Sequence, residues 1–306
     1  MGMELTFLGT SAGVPTKDRN VTSMLLDLIG IRKNYWVFDC GEGTQYRILN
    51  SPFKPSKIEK IFITHLHGDH IFGLPGLLCS RSMGGSTDPL TIYGPKGLKQ
   101  YIETALSLSS SYMTYPLEII EIEEGQLFDD GKLIVTAYSL DHRVECYGYR
   151  IEEYAKLGAL NADKLARDNI PRGPWMLALK QGKQIQLDDG REVNGTDYLE
   201  EPRKGKVVAI FGDTIPTPNA LLLAKDADVM VHETTLEAEF EDKANERGHS
   251  TTRQAALLAR QAGVKRFIAT HISARYGPQD IPRLLAECQA EFPATEIAED
   301  YLTIKI

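Results

Sequence analysis

The chain has 306 residues, 42% hydrophobic and 25% charged, with 26 glycines and 15 prolines spread along it. This composition excludes disorder, collagen and coiled coil, and suits a globular protein with a sizeable core. With 34 basic against 42 acidic residues the net charge is −8, so bulk attraction cannot hold a nucleic acid. A polyanionic partner would need local basic patches or metal charge. No apolar run reaches the roughly 18 residues of a spanning helix, and Met1-Gly2-Met3-Glu4-Leu5 lacks a secretory pattern. The expectation is a cytoplasmic protein with no membrane partner. Met1-Gly2 followed by Thr6 matches a loose acylation pattern, but the same residues open an apolar strand. Cys40, Cys79, Cys146 and Cys288 show no C-x-x-C spacing and read as buried reduced thiols.

In chain order, apolar runs ended by turn residues predict strands over 5–8, 24–29, 35–38 and 61–64. Helical composition covers 42–49, 71–80 and 95–108, the last beginning at Pro95. Strands follow over 117–122, 133–140 and 146–151, with Asp129-Asp130-Gly131 as a hairpin turn. From 152 to 204 strong core runs vanish, Pro171-Arg172-Gly173-Pro174 punctuates the segment, and nine basic residues balance ten acidic ones. This segment reads as an inserted arm. Strands over 207–211, 228–232, 266–270 and 302–306, and helices over 251–262 and 281–291, resume the alternation. No fixed-period repeat occurs, so the reading is two αβ halves with an arm between them.

His65-Leu66-His67-Gly68-Asp69-His70 follows the apolar run 61–64 and precedes an apolar helix. A strand end feeding a tight loop puts His65 and His67 on one side, and Gly68 lets the backbone turn so that Asp69 and His70 face elsewhere. One loop can then serve two ions. Imidazoles with a carboxylate suit a zinc pair of hydrolytic type. The missing ligands should come from other strand ends, where His142, Asp213 and His271 each follow an apolar run.

With these residues the chain resembles the metallo-β-lactamase superfamily, and within it the ribonuclease Z family, including its bacterial ribonuclease BN form. The resemblance spans the chain. It rests on Phe7-Leu8-Gly9-Thr10-Ser11-Ala12-Gly13-Val14-Pro15, Phe38-Asp39-Cys40-Gly41-Glu42, 64–70, Gly212-Asp213-Thr214, His232-Glu233-Thr234-Thr235 and His249-Ser250-Thr251-Thr252. It implies a single α/β domain over 1–306 with an αββα sandwich and an inserted flexible tRNA-binding arm at 152–204. It also implies two zinc ions per subunit: His65, His67 and His142 on one, Asp69, His70 and His271 on the other, and Asp213 bridging. Manganese, cobalt or iron could occupy such sites. The implied activity is endonucleolytic maturation of tRNA 3′ ends, with 3′-5′ exonuclease activity suggested by the ribonuclease BN likeness. A homodimer is the family's usual state.

Asp69 would orient the attacking water and take its proton, or serve as ligand only. The resemblance gives His249, paired with Glu233, the protonation of the leaving 3′ oxygen; the sequence alone also allows a histidine in a helix-capping loop. Thr234 stands where many relatives have Ala, a change too small to cast doubt on Glu233. His232 reads as structural. Asp39 is either an orienter of a ligand imidazole or a turn residue. Lys17, Arg19 and Asn20 lie in a P-x-K-x-R-N loop that in the family contacts the acceptor end; a solvated turn is the other reading. Arg172, Lys180 and Lys183 are candidate RNA contacts on the arm, or merely keep it solvated. The arm has Pro-Arg-Gly-Pro where relatives often show Pro-Pro-Gly-Pro.

Two other functions share these residues. A thioester or arylsulfate hydrolase would use the same ligand set. A non-enzymatic RNA-binding protein could hold zinc structurally, though seven ligands for two ions leave room for water.

Overall fold

A computed structural model describes residues 2–28 and 30–306. Two seven-stranded sheets dominate it. The first runs in the order Thr303–Lys305, Glu4–Gly9, Ser23–Asp27, Tyr35–Cys40, Ile58–Phe62, Leu90–Gly94, Leu117–Glu121. The second runs Thr295–Ile297, Phe267–Thr270, Val229–Glu233, Val207–Ile210, Cys146–Glu153, Leu133–Leu140, Gly125–Asp129.

The pattern of apolar residues explains the layering. Alternate residues of both sheets, among them Leu5, Phe7, Trp36, Phe38, Phe62, Tyr149, Val208, Ile210 and Val231, form one fully buried cluster. Phe62 stacks on Phe38 and on Tyr93 with ring centroids 5.0 and 5.1 Å apart. Strands buried on both faces need helices outside. Thr44–Leu49, Leu74–Met83 and Leu98–Leu108 cover the first sheet through Ile48, Leu77, Leu78 and Ile102. Pro218–Ala224, Thr252–Gln261 and Ile281–Glu291 cover the second through Leu223, Ala255, Ala259 and Cys288. The result is the αββα sandwich that the resemblance implied.

Several expected elements moved. The helical stretch 71–80 is two helices, Gly68–Ile71 and Leu74–Met83, because the Gly73 amide donates to the Cys40 carbonyl (2.9 Å) instead of continuing the first. Pro95 does not open the next helix. Gly97, at φ 98°, turns the chain there, and its amide donates to Glu121 (2.8 Å), so the helix starts at Leu98. The strand expected over 24–29 is Ser23–Asp27; Ile29, like Met1 of the acylation pattern, lies outside the described residues. Leu90–Gly94, Gly125–Asp129 and Pro218–Ala224 were not anticipated as elements. The 129–131 hairpin turn stands where expected, joining Gly125–Asp129 to Leu133–Leu140. Cys40, Cys146 and Cys288 are buried, Cys79 is half-buried, and all four are free.

The described residues up to Ile151 together with Val207–Ile306 form one compact unit, and Glu152–Lys206 forms a second. The second is folded despite its broken pattern. Helices Ala162–Arg167 and Met176–Lys180 and a hairpin, Gln184–Gln186 with Glu192–Asn194, enclose Leu165, Ile170, Leu179, Leu187 and Val193. Asn161 caps its first helix by accepting from the Lys164 amide at 2.8 Å, and Arg191 donates to the carbonyls of Asp168 and Asn169 at 3.0 and 2.9 Å. No helix among the described residues is long and apolar enough to cross a membrane.

Candidate metal centre

The strands Val207–Ile210, Val229–Glu233 and Phe267–Thr270 are parallel neighbours, as are Tyr35–Cys40 and Ile58–Phe62, so each group delivers its C-terminal ends to one edge. Polar residues at such ends face the crevice where ligands bind in open α/β sheets. Asp39, His65, His142, Asp213, Glu233 and His271 all sit at or just beyond strand ends.

The donor atoms gather into two separate sets and a third that overlaps them. His65, His67, His142 and Asp213 offer one set, Asp69, His70 and His271 another, and Asp213, His249 and His271 the overlapping third, each within 4.8 Å. In the first, His67 Nδ1 lies 3.1 Å from His65 Nε2 and 3.2 Å from His142 Nε2. In the second, Asp69 Oδ2 lies 3.4 Å from both His70 Nε2 and His271 Nε2. One oxygen, Asp213 Oδ2, faces both sets: 3.6 Å from His65 Nε2, 4.0 Å from His142 Nε2, 3.7 Å from His70 Nε2 and 3.5 Å from His271 Nε2.

Each imidazole but one is held by its other nitrogen, as ligand histidines usually are. Thr64 Oγ1 donates to Asp39 (2.9 Å) and accepts from His65 Nδ1 (3.0 Å), while Asp39 takes His70 Nδ1 directly at 2.7 Å. On the opposite side Thr235 Oγ1 donates to Glu233 (2.5 Å) and accepts from His271 Nδ1 (2.9 Å), repeating the carboxylate, threonine, histidine relay. His142 Nδ1 donates to the Gly248 carbonyl at 2.6 Å. Asp39 and His271 both adopt left-handed backbone, φ 55° and 56°, a strain that the surrounding bonds must hold in place. Asp39 therefore holds the orientation of His70, and Thr64 and Thr235, to which the sequence reading gave no role, link the His65 and His271 rings to carboxylates.

Gly68 serves differently from the expectation. It opens a helical turn without a positive φ, and a Cβ there would lie 2.2 Å from the exposed Phe72 ring, which would have to move. The loop nonetheless divides as anticipated, His65 and His67 to one set, Asp69 and His70 to the other.

Metal ions fit these residues. His70 Nε2 is buried without a hydrogen-bond partner among the described residues, a cost no neutral site carries without reason. Nitrogens 3.1 to 3.2 Å apart match donors about 2.0–2.1 Å from one tetrahedral ion, which lie about 3.3 Å from each other. Burial, with neighbouring imidazoles, pushes the pKa of His65 well down, and that of His67 is likewise lowered, leaving both neutral and able to donate lone pairs. Burial opposes ionisation of Asp69, but the His271 and His70 imidazoles beside it hold its carboxyl far below the usual range.

His249 and Glu233 stand beside this cluster. His249 Nδ1 lies 3.1 Å from Glu233 Oε1 and 3.7 Å from Asp213 Oδ2. Burial works against charge on His249, yet the Glu233 carboxylate outweighs it and raises its pKa to about 9, while Glu233 is held at about 2. Thr251, not His249, caps the following helix, in a capping box with Gln254. His232 is buried, with Nδ1 2.7 Å from the Glu233 carbonyl and its ring on Phe211.

The P-x-K-x-R-N loop is wired into the body. Arg19 donates to Thr10 Oγ1 (2.7 Å) and the Ala298 carbonyl (2.5 Å), and Asn20 donates from its amide side chain to the Glu42 carbonyl (2.9 Å). Lys17 is exposed. Two residues ahead of the loop, the Gly13 amide donates to Asp69 Oδ2 at 2.8 Å. Arg172, Lys180 and Lys183 are exposed on the arm unit, apart from the donor cluster in sequence.

Comparison with known proteins agrees with this geometry. A family profile described as Anti-Pycsar protein Apyc1 matches residues 3–147. The metallo-β-lactamase fold protein YhfI from Bacillus subtilis superposes with a TM-score of 0.69 at 18% identity, over 99% of this chain and 98% of that one. The fold is thus the metallo-β-lactamase fold, with a His/Asp metal-binding cluster at its strand ends. Human tRNase Z, short form, is similar over 99% of both chains, with 30% identity and a TM-score of 0.70. Ribonuclease BN of Proteus mirabilis (strain HI4320) is 62% identical over 305 residues, 99% of this chain and 100% of the relative. The chain belongs to the ribonuclease BN family.

Proposed function

We propose that the protein is a dinuclear zinc phosphodiesterase that cleaves tRNA precursors on the 3′ side to mature the tRNA 3′ end, with 3′-5′ trimming as a second use of the same centre. One observation carries this reading: Asp213 Oδ2 stands 3.5–4.0 Å from imidazole nitrogens of both donor sets, the arrangement of a shared ligand. His65, His67, His142 and Asp213 would hold one ion, and Asp69, His70, His271 and Asp213 the other. When bound, two divalent ions less the charges of Asp69 and Asp213 leave about +2, which draws phosphate to an acidic chain and acidifies a water for attack.

The protein's own groups supply orientation and a proton. Asp69 accepts the Gly13 amide on Oδ2, and it would orient the attacking water and take its proton. The Glu233 carboxylate facing His249 favours its cationic form, and His249 would deliver a proton to the leaving 3′ oxygen. Thr235 ties Glu233 to His271, so the donor pair and the second donor set share one hydrogen-bonded frame. Lys17 and the exposed cations Arg172, Lys180 and Lys183 would contact RNA phosphates, while Arg19 and Asn20 shape the loop that carries Lys17.

Cleavage-site mapping on tRNA precursors, with and without an encoded CCA, tests the reading. It predicts metal-dependent cuts at the 3′ side, abolished by chelation and restored by zinc. Metal-dependent hydrolysis of a thioester or sulfate ester with no RNA cleavage would replace it.

A further inference from the structure

The cavity at the donor cluster, about 220 Å³, is lined by Gly13, His67, Asp69, Asp213, His249 and His271, and Arg247 is the one lysine or arginine among its described lining residues. Arg247 follows the helix Glu241–Glu246, anchored by its amide to the Ala244 carbonyl at 3.0 Å. The next two residues already serve the centre. Gly248, at φ 81°, offers its carbonyl to His142 Nδ1, and a Cβ there would lie 2.6 Å from that nitrogen; His249 pairs with Glu233. The backbone carrying Arg247 is therefore fixed against the metal centre. Its side chain is exposed and makes no hydrogen bond or ion pair among the described residues, whereas Arg19, Arg47 and Arg191 are engaged within the protein.

We propose that Arg247 binds the RNA phosphate adjoining the one cleaved, an inference that rests on the phosphodiesterase reading above. The donor sets face the scissile phosphoryl group, so a cation exposed at the cavity lining meets a neighbouring phosphate. The guanidinium fork matches two phosphate oxygens, and a chain of net charge −8 depends on such local cations to hold a polyanion.

The test compares Arg247→Ala, Arg247→Lys and the control Arg253→Ala, an exposed arginine paired with Glu291 at 3.2 Å. Steady-state rates are measured on a tRNA precursor and on bis(4-nitrophenyl) phosphate across a salt series. For Arg247→Ala the RNA KM rises about tenfold with a smaller change in kcat, and the fall of log kcat/KM with log salt becomes shallower by about one. The loss on RNA exceeds the loss on the small diester at least roughly fivefold, since a single phosphate offers no second contact. Arg247→Lys keeps the salt slope and recovers part of KM. Equal losses on both substrates, or an RNA KM and salt slope matching Arg253→Ala, overturn the proposal. Wild-type protein that hydrolyses the diester but no RNA overturns the functional reading itself, whereas RNA cleavage untouched by Arg247→Ala overturns this inference alone.

Discussion

The donor cluster and the Glu152–Lys206 unit are built on opposite principles. In the cluster nearly every polar atom has an assigned partner, and a hydrogen-bonded layer of Asp39, Thr64, Thr235 and Glu233 fixes the side chains that meet at Asp213. In the other unit five buried apolar residues hold short elements together, and its candidate RNA contacts project freely into solvent. Chemistry at a metal pair needs atoms held to fractions of an ångström; binding a flexible polyanion needs charge and reach.

The largest effect that would test this contrast is at the shared ligand. Asp213→Ala should lower turnover on RNA and on small diesters alike by at least about 10³-fold, with loss of bound metal. Near-normal activity would break the reading of Asp213 as a bridge. Next, His249→Gln and Glu233→Gln should each reduce kcat on RNA by about 10²- to 10⁴-fold while the metal content stays close to wild type; a matching loss of metal would move the pair from proton delivery to ligand support. Replacing residues 155–200 by a short flexible linker should abolish cleavage of tRNA precursors yet spare small phosphodiesters, and equal loss of both would contradict the division of labour.

Stability sharpens the same comparison. Phe62→Ala, in the stacked aromatic ladder between the sheets, should cost about 3–5 kcal/mol by thermal or denaturant unfolding. The smallest effect concerns pH. In metal-depleted protein the folded-state pKa of His249 is raised to about 9 from an ordinary 6.5, so its contribution is fully present below pH 6.5 and is lost as pH rises through 9. The stability gap between wild type and His249→Gln, on the order of 3 kcal/mol at its greatest, should therefore close between these values. A gap that widened with pH would contradict the charged pair.

The site was legible in the sequence because its residue types are chemically narrow. Four metal-ligand side chains in six positions, each remaining donor behind an apolar run, left few ways to assemble, and the strand ends place them so. Thr64 and Thr235 stood inside quoted motifs but without a role, because a threonine just past a strand end is ordinary; only the carboxylate that each one meets in space marks it. Arg19 and Asn20 were legible as a polar loop but not as braces, since their partners Ala298 and Glu42 are distant or unremarkable in sequence. The arm's folds were hidden for a different reason. Helices of six and five residues and three-residue strands are too short to show a period, and their core is assembled from single apolar residues.

A dinuclear centre requires two divalent ions that share Asp213. Elemental analysis of purified protein, before and after chelation and alongside Asp213→Ala, measures this directly. The expected result is two equivalents of metal per chain, activity that disappears with their removal, and fewer equivalents in the variant. Full activity in protein shown to be free of divalent metal would contradict it.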